Sequence, residues 1–84
     1  MSGWIDDLAD VLEVDPLTVS ETDRLLRIAR DVAHRVERKG APLASFLLGM
    51  YVARRAVDPA ARASTLDDAI ALAEALIPTS PEQP

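Results

Sequence analysis

Apolar residues recur along this chain at spacings of three and four, the period of a helix. No segment shows the strict alternation of a strand. In residues 3–13, Trp4, Ile5, Leu8, Val11 and Leu12 fall on one side of a helical wheel, and Asp6, Asp7, Asp10 and Glu13 on the other. The pattern predicts an amphipathic helix whose early acids suit its N-terminal dipole. Val14-Asp15-Pro16 should end it, because a residue before proline avoids helical geometry. A second helix is expected to open at Ser20, with Asp23 three residues on as a variant capping box. It should run to about Lys39, where Gly40 stops it. Leu25, Leu26, Ile28, Ala29, Val32, Ala33 and Val36 make its apolar face, and arginines crowd the opposite one.

The third segment behaves differently. After Pro42, a suitable first-turn residue, Leu43, Phe46, Leu47, Leu48, Met50, Tyr51 and Val52 point in nearly all directions. A helix apolar all round is expected to be buried. Ser45, Gly49 and Ala53 form a stripe of small residues, and a glycine inside a helix costs about 1 kcal/mol relative to alanine. A second helix packed closely along that stripe would compensate. Left exposed, the stripe would instead suit a homodimer. Asp58-Pro59 should cap a short turn, and Ser64-Thr65-Leu66-Asp67 should open a last helix to about Ile77. The expected fold is all-α: a compact four-helix bundle with a central apolar third helix, in one domain over residues 1–78. The Pro-rich polar tail, residues 79–84, should be disordered.

Composition narrows the chemistry. The chain has 84 residues, no cysteine and one histidine. Disulfides, thiolate metal sites and a multi-histidine metal site within one chain are thereby excluded. No metal and no cofactor is expected. The three glycines, at 3, 40 and 49, are too scattered for a phosphate loop. No sequence-local pair of titratable groups suggests acid–base work, and Ser45 has no base nearby in sequence, so no catalytic residue is expected. The Asp-Ser-Leu attachment site of acyl carrier proteins is missing. No charged start leads into an apolar run and cleavage site. The longest uncharged run, residues 40–53, falls short of the roughly 20 apolar residues that span a bilayer. A cytoplasmic protein without membrane contact is expected.

The net charge of −5 is distributed in blocks: −7 over residues 1–23, +6 over 24–62 and −4 over 63–84. The simplest reading is internal neutralisation, with the acidic first helix near the basic second. The acidic balance, with Trp4 and Tyr51 far apart, argues against nucleic acid. On the second helix, Arg27, His34 and Arg38 lie within about 40° of one another on a 3.6-residue wheel, flanked by Arg30 and with Asp31 between. Arginine forks suit phosphates and carboxylates. Arg27, Arg30, Asp31, His34 and Arg38 are therefore the candidate binding residues. The competing reading is a solvated face laced with the i,i+4 pairs Asp23–Arg27, Arg27–Asp31 and Asp31–Arg35.

The string Arg30-Asp31-Val32-Ala33-His34, followed by Ala41-Pro42-Leu43 and Phe46-Leu47-Leu48-Gly49, resembles a small actinobacterial helical domain family of unknown function. The Trp4-Ile5…Leu8 start adds to the likeness. Members of that family occur alone or fused to the C-terminus of molybdenum-cofactor guanylyltransferases. The resemblance runs from about Trp4 to Ile77, and Met50 to Arg55 replaces a small-residue-rich stretch of many members. It implies an accessory role near molybdenum-cofactor maturation, with such a guanylyltransferase or a molybdoenzyme as partner and Arg30, Asp31 and His34 on the contact surface; with no catalytic constellation in the sequence, a non-enzymatic accessory or interaction domain is expected. The alternative is a small domain that binds phosphate or nucleotide through the basic face.

Overall fold

Thr18 opens the longest helix. Its hydroxyl accepts from the Glu21 amide at 3.1 Å, and its own amide donates to Glu21 Oε1 at 2.9 Å. This reciprocal capping box starts α2 (Val19–Arg35) two residues before the position expected from Ser20. In the computed structural model, which describes residues 3–78, α2 is preceded by α1 (Trp4–Val11) and followed by α3 (Gly40–Arg55), a 3-10 turn (Pro59–Ala61) and α4 (Arg62–Leu76). The architecture is an all-α arrangement of four helices, with no strand among the described residues. The tail read as disordered, residues 79–84, lies outside them. No described helix is long and apolar enough to cross a membrane.

Each boundary has a local cause. The end of α1 comes before the proline that sequence suggested. The Glu13 amide donates to Asp10 O and the Val14 amide to Ala9 O, while Glu13 takes a left-handed φ of 59°. That is a Schellman closure with glutamate where glycine is usual. The end of α2 comes at Arg35, not Lys39, because the Val36 and Glu37 amides both turn back onto Val32 O. Gly40 then begins α3 instead of merely stopping α2. A Cβ at Gly40 would stand 3.1 Å from Val32 Cγ1, so the corner is tight enough to favour glycine. Asp58 caps the 3-10 turn as expected, its Oδ1 accepting from the Ala60 amide at 3.1 Å. α4 follows directly from that turn at Arg62, and Ser64 donates back to Ala61 O instead of capping a new start.

α3 is central in that it packs against both α2 and α4, which also touch each other. Ile28 and Val32 of α2, Leu48 of α3 and Ala69 of α4 form the core, with Leu25, Tyr51 and Ile70 around it. The wheel of α2 placed Ile28 and Val32 correctly. α3 does not match the expectation of burial on every side. Leu48 is its one buried residue, while Leu43, Phe46, Leu47 and Met50 are exposed. Three other helices, one of eight residues, cannot surround it. α1 packs closely on no other helix. Its apolar face is left open, with Trp4 72% and Val11 76% exposed.

Candidate functional site

The candidate basic face is carried by α2 and by the turn that follows it. Arg27, Arg30 and His34 are exposed on α2, and Asp31 is half-buried. Arg38 is not on the helix at all. It lies in the turn after Arg35, so its wheel angle with Arg27 and His34 does not apply. None of the three i,i+4 pairs closes to an ion pair, the described pairs being Arg24–Asp67 and Glu21–Arg62. Arg24 and Arg27 line a shallow depression together with the carboxylates of Asp67 and Glu74. Those acids offset the positive potential that an anion would meet there.

The expected neutralisation of the first helix by the second does not occur through ion pairs either. The acids of α1 pair with no base of α2 among the described residues. The charge blocks meet instead at Glu21, 2% exposed and the one buried charged residue among those described. Arg62, from the first turn of α4, donates through Nε to Glu21 Oε2 at 2.7 Å and through Nη2 to Oε1 at 2.6 Å. Its remaining donors reach Asp15 O at 3.1 Å and Pro16 O at 2.8 Å. The hydrogen bond from Arg62 holds the Glu21 carboxyl below its ordinary range, against burial, which pushes the other way. Glu21 in turn raises Arg62. With every polar atom of the pair engaged, this bidentate contact is a structural anchor. It ties the α1–α2 loop and the start of α2 to the start of α4.

Glu21 and Arg62 also line an apolar groove of about 500 Å³. Leu17, Gly49, Ala53, Val57 and Leu66 line it. The small-residue stripe of α3 is therefore not covered by a neighbouring helix, as expected, but forms a wall of this open groove. A Cβ added at Gly49 would meet nothing within 4 Å. Ser45 is engaged locally, its hydroxyl donating to Ala41 O at 3.0 Å. Around the helix from the groove, Leu43, Phe46, Leu47 and Met50 make a second apolar strip at spacings of three and four. Lys39 precedes the strip by four residues and Arg54 follows it by four, so a cation stands at each end. No group of three or more metal-ligating side chains occurs among the described residues.

Sequence reasoning missed this surface by treating apolarity on all sides as burial. The available signal was the shortage of helices to cover so much apolar area. Fold and surface together define a small helical protein whose largest apolar features face outward. The family described as Domain of unknown function (DUF6457) matches residues 1–84, and the chain belongs to it. No curated protein and no solved structure matches the chain.

Proposed function

We propose that the chain is a non-enzymatic accessory domain that works by binding protein. The observation that carries this reading is the outward strip of α3, where Phe46 is 69% exposed between Leu43, Leu47 and Met50. Contiguous exposed apolar side chains rimmed by polar ones mark interaction surfaces. Large apolar side chains ringed by charge are also what interface centres are built from. The resemblance of the Arg30–His34 and Phe46–Gly49 strings to domains fused to molybdenum-cofactor guanylyltransferases supports a partner in the maturation of that cofactor or of a molybdoenzyme.

The test is direct binding between the purified chain and a molybdenum-cofactor guanylyltransferase from the same cell, by co-migration and calorimetry. Phe46→Glu should abolish complex formation, while His34→Ala tests the contribution of α2. A complex that withstands Phe46→Glu moves the contact off α3. Absence of any complex removes the link to this partner.

A further inference from the structure

The cations at the ends of the α3 strip stand on the strip itself. On a 3.6-residue wheel, Leu43, Phe46, Leu47 and Met50 share an arc of about 100°, and Lys39 and Arg54 fall inside it. Lys39 precedes the helix, but its backbone already has helical angles, φ −65° and ψ −21°, so the wheel reaches it. Both cations are exposed, and neither makes an ion pair among the described residues. Arg55, the next residue, turns off the strip, its guanidinium 4.6 Å from the centre of the Tyr51 ring. α3 itself carries no acid. The four apolar residues are spaced i, i+3, i+4 and i+7, the set that makes one hole for a side chain of a facing helix. The strip therefore has the form of a helix-packing seam, about 22 Å long from cation to cation, and its own chain leaves it exposed.

We infer that the partner protein lays on this strip an amphipathic α-helix with a carboxylate toward each end. The inference rests on the reading of the strip as an interaction surface and names the chemistry that fits it. One large apolar side chain of the partner helix seats among Leu43, Phe46, Leu47 and Met50. Its acids, about four turns apart, meet Lys39 and Arg54. Cations at both ends with no acid between them select against a basic-ended helix, and they fix how far along α3 the acidic one sits. An anionic membrane fits less well, because the net charge of −5 opposes its approach.

The experiment is fluorescence anisotropy of two labelled, Ala-rich helical peptides of about 20 residues, titrated with the full chain. The peptides share one central Leu seam and differ only in carrying Glu or Lys at both ends. The Glu-ended peptide is expected to bind, and the Lys-ended one to bind roughly tenfold more weakly. Leu47→Glu, at an exposed position, should abolish binding with helicity unchanged. Lys39→Glu and Arg54→Glu should each weaken it roughly threefold to tenfold, a rim ion pair turned into a repulsion. Arg55→Glu should leave it as it was. Equal affinity for the two peptides overturns the inference. So does an equal loss in Arg54→Glu and Arg55→Glu, because only general charge attraction then remains. Binding of neither peptide overturns it too, as does sedimentation with phosphatidylglycerol vesicles in place of peptide binding. In each of these cases, guanylyltransferase binding that Phe46→Glu abolishes leaves the interaction-domain reading standing.

Discussion

A single buried carboxylate sets much of the behaviour expected of this protein at the scale of residues. Removing Arg62 leaves Glu21 charged, 2% exposed and without its partner. Breaking one side of such a pair is far more costly than the pair is stabilising. Arg62→Ala is expected to lower stability by about 3 kcal/mol, measured by urea unfolding. The double variant with Glu21→Ala should lose less than the sum of the two single changes, which a double-mutant cycle will read. The same contact gives an acid dependence. Because the folded carboxyl titrates lower than the unfolded one, its stabilisation is fully present above the unfolded value near about 4.3 and is lost as pH falls through the folded value. The urea midpoint should therefore drop as pH falls below about 4.3. Glu21→Gln should lower the midpoint at neutral pH and flatten that acid limb.

Two glycines on α3 have opposite expectations at the scale of elements. Gly49 faces open space, so Gly49→Ala should gain about 1 kcal/mol from helix propensity alone. Gly40→Ala should instead destabilise, because Val32 of the core must move to admit the new Cβ. Thermal unfolding of the two variants separates these signs. At the start of α2, Thr18→Ala should cost about 1 kcal/mol through loss of the capping box. That box was legible in the sequence, since Thr18-Val19-Ser20-Glu21 has the required spacing, yet Ser20 with Asp23 competed for the same role. Helix identity and the core positions Ile28 and Val32 followed from periodicity. The helix ends did not, because Val32 O and Ala9 O close their turns through backbone geometry that composition does not encode. The same shift changes how the candidate binding face is placed. Moving the end of α2 from Lys39 to Arg35 took Arg38 off the helix, so the wheel no longer relates it to Arg27 and His34.

Across the whole molecule, the core is small for the surface it must organise. Ile28, 1% exposed, touches its centre, and Ile28→Ala should cost about 3 kcal/mol. That is a large share of the 5–15 kcal/mol or so that a domain commonly has, so this variant is expected to melt at a clearly lower temperature than the wild type by circular dichroism. The periodicity of α3 showed that it was apolar, but not which part of its circumference other helices would reach. That depends on how few helices there are and how they cross, which is a property of the assembled chain. The anchor at Arg62 has a consequence for the order in which that assembly takes place. Its donors reach back 41 positions to Glu21 and 47 to Asp15. During synthesis, the loop before α2 emerges with its carbonyls unheld and its glutamate in water. A nascent chain halted before residue 62 can close the Thr18–Glu21 box and pack α2 on α3, but it lacks the contact that holds the α1–α2 loop to the rest of the molecule.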